Sequence, residues 1–124
     1  MFQDTKAFSG FSVNDIPAAK VFYGDTLGLN VSEQNGMLTI HIAGGGNILI
    51  YPKTNHTPAT YTILNLPVHN IEMAVAALKT RGVRFEHYDG MKMDEHGIAR
   101  GGGPPIAWFT DPAGNILSLV QDAP

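Results

Sequence analysis

Apolar and polar residues alternate over residues 7–13 (Ala-Phe-Ser-Gly-Phe-Ser-Val). This sets Phe11 and Val13 on one face of a strand and Phe8, Gly10 and Ser12 on the other. At Asn14 and Asp15 the period changes. Ile16, Ala19, Phe22 and Tyr23 recur at helical spacing, with Pro17 in the first turn and Gly28 as the stop. Strands at 29–33, 37–42 and 47–51 follow. Asn35-Gly36 predicts a tight hairpin between the first two, and Ala43 to Gly46 a second turn. Residues 52–59 have the turn-rich composition of a linker.

The second half repeats the plan. Over 61–68, Leu64, Leu66 and Val68 share one face of a strand, and Ile63, Asn65 and Pro67 share the other. Asn70 caps a helix to Thr80, with Ile71, Val75 and Leu78 buried and Gly82 closing it. Val83 to His87 predicts the next strand. Residues 88–105, with five glycines and two prolines, have no period and predict a long loop with room for a short β excursion. Trp108 to Thr110 and Asn115 to Val120 are the last strands, joined by the turn Asp111-Pro112-Ala113-Gly114-Asn115. Val13-Asn14-Asp15-Ile16 aligns with Val68-His69-Asn70-Ile71 at a spacing of 55 residues, and Gly46-Asn47-Ile48-Leu49 with Gly114-Asn115-Ile116-Leu117 at 68. One module is therefore written twice, and the second copy carries an insertion of about 13 residues between Gly82 and Trp108. The expected fold is α+β, built from two tandem βαβββ modules. Module one covers about 5–52, a linker about 53–59, and module two about 60–122.

Composition narrows the function. With 44% apolar and 15% charged residues the chain folds around a core. A net charge of −3 without a basic cluster argues against nucleic acid and anionic membranes as partners. The absence of cysteine excludes disulfides, thiolate metal sites and cysteine nucleophiles. No apolar run approaches the roughly 18 residues of a membrane span, and the N-terminus lacks the pattern of a signal peptide, so the expected location is cytoplasmic. Of the histidines His41, His56, His69, His87 and His96, no two stand at i, i+2 within a strand. Asp94-Glu95-His96 is the densest cluster of ligand-type atoms. It is read as a solvated loop or, if the insertion folds over a site, as part of a lid. Gly101-Gly102-Gly103-Pro104-Pro105 lacks the Lys-Ser/Thr and following helix of a phosphate loop. No Ser/His/Asp or nucleophile-elbow pattern is present.

Val13-Asn14-Asp15-Ile16 followed by Phe22-Tyr23 and Leu27-Gly28, and the Asp111-Pro112-Ala113-Gly114-Asn115 turn leading into a strand, resemble the vicinal oxygen chelate superfamily. That superfamily includes glyoxalase I, extradiol dioxygenases and bleomycin-resistance proteins, and the resemblance spans nearly the whole chain. It implies two modules whose curved sheets enclose one cup. It also implies, for metal-dependent members, a divalent ion held by His or Gln and then Glu. The first ligand stands seven residues before the residue that opens each helix, which gives Phe8 and Ile63. The carboxylate stands three residues after the Asn of each Gly-Asn turn, which gives Ile50 and Ser118. None of the four is a usual ligand, because a divalent ion needs imidazole nitrogen or carboxylate oxygen. No cofactor is expected, and the metal site of the superfamily is expected to be absent.

If Phe8, Ile63 and Ser118 face the cup, alternation and the repeat bring Ser12, Ile48, Ile50, Asn65 and Ile116 to the same surface, with Trp108 at its rim. Apolar walls with a few hydrogen-bonding groups suit a small molecule, although the same residues would also pack a closed core. Trp108 would stack on a planar ligand or cap that core. The expected function is metal-independent small-molecule binding of the glyoxalase/bleomycin-resistance type, in a homodimer that sequesters a toxic or antibiotic compound. The alternatives are a lyase, isomerase or dioxygenase with a divalent metal relocated near Asp94, Glu95 and His96, and a dimeric structural module with a filled cup.

Overall fold

In the first half of the chain, β1 (Ser9–Val13) leads into α1 (Ile16–Lys20), which continues as a π-helical stretch, Val21–Thr26; β2 (Asn30–Gln34), β3 (Met37–His41) and β4 (Asn47–Pro52) follow. The second half runs β5 (Thr62–Val68), α2 (Ile71–Thr80), β6 (Ile98–Ala99), β7 (Ile106–Thr110) and β8 (Ile116–Gln121). These elements come from a computed structural model that describes residues 1–122. The chain divides into two units, residues 1–57 and 58 onward, and each forms a four-stranded mixed sheet with one helical segment. The strand order is β1-β4-β3-β2 in the first and β5-β8-β7-β6 in the second. The α+β class and the tandem βαβββ plan are both present. Among the described residues no helix is long and apolar enough to cross a membrane.

Local chemistry accounts for the starts and stops. Asp15 and Asn70 cap the two helices, their side-chain oxygens accepting the N–H groups of Ala18 and Met73. Asn35 and Gly36 both take positive φ, at 54° and 75°, as the mirror-image hairpin turn between β2 and β3 requires. The first helix departs from the regular spacing that Ile16, Ala19, Phe22 and Tyr23 predict. Leu27 N–H donates to the Phe22 carbonyl five residues back, and the wider turn lets the adjacent Phe22 and Tyr23 both be buried. Tyr23 meets Phe22 edge-on at 5.2 Å and Phe11 at 5.7 Å.

In the first unit Phe11, Val13, Leu38, Ile40 and Ile50 are buried on the face that carries the helix. In the second, Leu117, Leu119, Ala107, Phe109, Ile71 and Val75 form the corresponding core. The strand expected at 83–87 is not formed. Phe85 makes only an isolated bridge to Phe109, and the fourth strand of this sheet is β6, from inside the insertion.

The turn between β7 and β8 is closed by one buried carboxylate. Asp111 Oδ1 accepts the N–H groups of Ala113 and Asn115, each at 2.9 Å, and its Oδ2 accepts the Asn115 side-chain amide at 3.0 Å. Asn115 Oδ1 in turn accepts Ala59 N–H at 3.3 Å. Gly114 has φ +86° and lies so near Pro58 that a Cβ there would come within 2.9 Å of the proline ring, so two constraints require glycine. Asp111→Ala should therefore lower stability by about 2–3 kcal/mol in urea unfolding, because it leaves several buried donors unpaired. The exposed control Asp25→Ala should change it by less than about 0.5 kcal/mol.

Candidate functional site

Each sheet has a second face that carries no helix, and alternation decides which side chains reach it. In the second unit the register of β5, β8 and β7 puts Asn65, Ser118 and Trp108 in one row across that face. Ile116 and Val120 flank Ser118 along β8, and Ile106 pairs with Val120. The polar groups of this row are ordered by one another. Ser118, fully buried, donates its hydroxyl to Asn65 Oδ1 at 2.6 Å. Trp108 Nε1 donates to Thr62 Oγ1 at 3.1 Å, which satisfies the indole and fixes the ring's orientation. The ring of Tyr88 meets Trp108 edge-on, with centroids 5.5 Å apart. Burial, with a smaller contribution from the Glu86 carboxylate, pushes the Tyr88 phenol above its ordinary value, so it stays a neutral hydroxyl at pH 7. The result is an aromatic and aliphatic surface carrying the Asn65 amide donors and the Tyr88 hydroxyl.

Thr62 and Tyr88 are members of this surface that the sequence pattern does not reveal. Thr62 pairs with Ile116, but the next pairing is Leu64 with Leu117, so a bulge falls at Ile63. The bulge brings Thr62 into the position that strict alternation gives to Ile63. Tyr88 opens the aperiodic insertion, where no spacing argument reaches.

In the first unit the expected set does not gather. Phe11 pairs with Ile50 and Ser9 with Ile48 in the parallel β1–β4 ladder, so both isoleucines lie on the helix-bearing face, with Ile50 0% exposed. Grouping them with Phe8 and Ser12 is therefore corrected. The cause is a one-residue offset between the modules. Phe11 and Leu66 each stand four residues before their helix cap and pair with Ile50 and Leu119 respectively. Leu49, not Ile50, is thus the counterpart of Ser118. Phe8 precedes β1 and is 67% exposed. Ser12 hydrogen-bonds His56 Nδ1 at 2.6 Å, tying residue 56 to β1.

These positions bear on the metal. Phe8, Leu49 or Ile50, Ile63 and Ser118 offer no imidazole or carboxylate, and the one hydroxyl among them is bound to Asn65. The residues do not fit a divalent ion. Nor do Asp94, Glu95 and His96 rebuild a site. Asp94 Oδ1 accepts the N–H groups of His96 and Ile98 at 2.9 and 3.0 Å, while Oδ2 lies 3.5 Å from Arg100 Nε. Among the described residues no three His, Asp or Glu side chains converge.

That cluster instead anchors the insertion. Arg100 also pairs with Glu72 on α2 and so bridges the insertion to the helix. The Arg100 hydrogen bond holds the Glu72 carboxyl below its usual value. At Asp94 burial acts upward, but the Ile98 and His96 N–H groups and Arg100 together outweigh it and leave the carboxyl lowered. The same hydrogen bond from Glu72 raises the Arg100 guanidinium further above neutrality.

Comparison with known proteins gives the site its setting. The family model described as "Glyoxalase/Bleomycin resistance protein/Dioxygenase superfamily" matches residues 8–119. No curated protein matches the chain. Among solved structures, a member of the glyoxalase/bleomycin resistance protein/dioxygenase superfamily from Sphaerobacter thermophilus is similar at 25% identity and a TM-score of 0.69, over 94% of this chain and 96% of that one. TnmS3, an antibiotic binding protein from Streptomyces sp. CB03234, is similar at 25% identity and a TM-score of 0.70, over 98% and 99%. A glyoxalase family protein from Enterococcus faecalis, at 22% identity and a TM-score of 0.67 over 96% and 98%, shares the fold.

The clamp predicts a pH dependence. Both carboxyls are lowered in the folded state, so their contribution is present above the unfolded value and is lost as pH falls through the folded one, below about 4. Amide-exchange protection at His96 and Ile98 should hold from pH 7 to pH 5 and collapse below about 4, whereas Arg100→Gln should reduce it already at pH 7.

Proposed function

The chain belongs to the glyoxalase/bleomycin resistance protein/dioxygenase superfamily, and we propose that within it the protein is a small-molecule-binding protein that works without a metal and sequesters a toxic or antibiotic compound. The observation that carries this reading is the helix-free face of the second sheet. Trp108 is oriented by Thr62 and backed by Tyr88, and it lies beside Ile116 and Val120 with Asn65 and Ser118 between. An aromatic wall, aliphatic neighbours and a few ordered polar groups are what a planar organic ligand requires. Ser118 occupies one Asn65 oxygen site and leaves the amide N–H groups for a ligand carbonyl or ether. The similarity to an antibiotic binding protein supports the same class of role.

The reading extends to a cytoplasmic homodimer. Exposed Phe2, Phe8, Met37 and Tyr51 in the first unit supply apolar surface that a second copy would cover.

Trp108 is the only tryptophan, so its indole N–H gives a single resonance in a ¹H–¹⁵N spectrum. Titration with planar aromatic compounds, beginning with 2-naphthamide, should shift that resonance saturably and equally with and without chelator. Trp108→Ala should weaken binding by about tenfold or more in calorimetry, and Met73→Ala, on the exposed side of α2, should leave it unchanged. Binding that disappears in chelator and returns with Zn²⁺ would overturn the proposal.

A further inference from the structure

Ile106 and Val120 belong to two surfaces at once. They adjoin Trp108 and Ser118 on the helix-free face, and they form the floor of a cavity of about 590 Å³ whose walls come from the insertion. Met91 and Ala99 add apolar surface to it, and Lys92, Arg100 and Gly101 to Gly103 supply the polar side. No acidic residue lines it. Its two cations differ in kind. Arg100 is engaged by Glu72 and Asp94, whereas Lys92 makes no ion pair among the described residues, in a chain of net charge −3.

The glycine wall carries a second, independent observation. Gly101 and Gly103 have φ of +106° and +146°, which explains glycine there by conformation. Gly102 has no positive φ, and a Cβ at that position would meet no atom within 4 Å, so neither backbone nor packing requires glycine there. What its missing side chain does is leave the cavity wall as bare backbone. The N–H groups of Gly101, Gly102 and Gly103 donate to no protein acceptor among the described residues.

We propose that this cavity binds the charged end of an amphipathic organic anion. A carboxylate or a similar singly charged group sits at the Lys92 ammonium and the glycine N–H groups, and the apolar body runs over Ile106 and Val120 toward Trp108. An unpaired cation beside free backbone donors strengthens a charge-assisted hydrogen bond, and the apolar floor lowers the competition from water. This inference rests on the small-molecule reading above and narrows it to one ligand class.

The test uses 2-naphthoate and its neutral counterpart 2-naphthamide, titrated calorimetrically into the full chain and its variants. The wild type should bind naphthoate about tenfold tighter than naphthamide, the worth of one hydrogen bond to a charged partner. Lys92→Gln should abolish that preference without changing naphthamide affinity. Gly102→Ala, whose added Cβ would meet no atom within 4 Å, should weaken naphthoate without lowering the unfolding midpoint. Raising the salt should weaken naphthoate alone. Equal affinity for the two compounds, with Lys92→Gln silent, would overturn this inference and leave the small-molecule reading intact. Failure of both to bind, with the Trp108 indole resonance unmoved, would overturn the two together.

Discussion

The Asp111 carboxylate is the constraint on which the second module depends. By accepting two backbone N–H groups and the Asn115 amide, it closes a five-residue turn whose exit must be β8 in one register with β7. Side chains alternate along both strands, so a slip of one residue would exchange Leu117 and Leu119 for Ser118 and Val120 in the core. With the register fixed, Trp108 faces Ser118 across β7 and β8, and Asn65 meets Ser118 from β5. The row of Asn65, Ser118 and Trp108 is thus a consequence of one buried polar turn. Gly114 against Pro58 and Asn115 to Ala59 hold the start of the same unit to that turn.

Signals carried by a few adjacent residues were legible in the sequence. Asn70 as a cap, Asn35-Gly36 as the hairpin, and the two βαβββ units all follow from local backbone chemistry. The helix-free face of the first sheet was not legible, for a reason of register. The shared Gly-Asn-Ile-Leu phrase looks like an equivalence, yet the parallel ladders show it displaced by one residue relative to the helix caps, which turns Ile48 and Ile50 to the helix-bearing face and buries Ile50. A four-residue identity specifies composition. It does not specify which way each residue faces. The bulge at Ile63 hid Thr62 in a similar way, since nothing in Tyr-Thr-Ile-Leu marks an extra residue. Two-residue β6 lies in a glycine-rich stretch with no period to betray it, while the more strand-like 83–87 segment stays outside the ladder.

The insertion shows how the same residue types can serve opposite ends. Asp94, Glu95 and His96 have the atoms of a metal site, but Asp94 spends its oxygens on the backbone of its own turn and on Arg100. Through Glu72 that arginine fastens the loop to α2. The acidic cluster is therefore a clamp, and its product is a shaped wall next to Ile106 and Val120. Of the two cations that line the cavity over Ile106 and Val120, Arg100 belongs to the clamp, and Lys92 makes no ion pair among the described residues.

The most direct test of a metal-independent binding surface is native mass spectrometry with elemental analysis. The protein would be refolded in turn with Zn²⁺, Ni²⁺, Mn²⁺ and Fe²⁺ and then passed through a desalting column. The chemistry of Phe8, Leu49, Ile63 and Ser118 predicts no ion retained in stoichiometric amount. One ion bound tightly per chain, and lost in a Ser118→Ala or Asp94→Ala variant, would contradict the account.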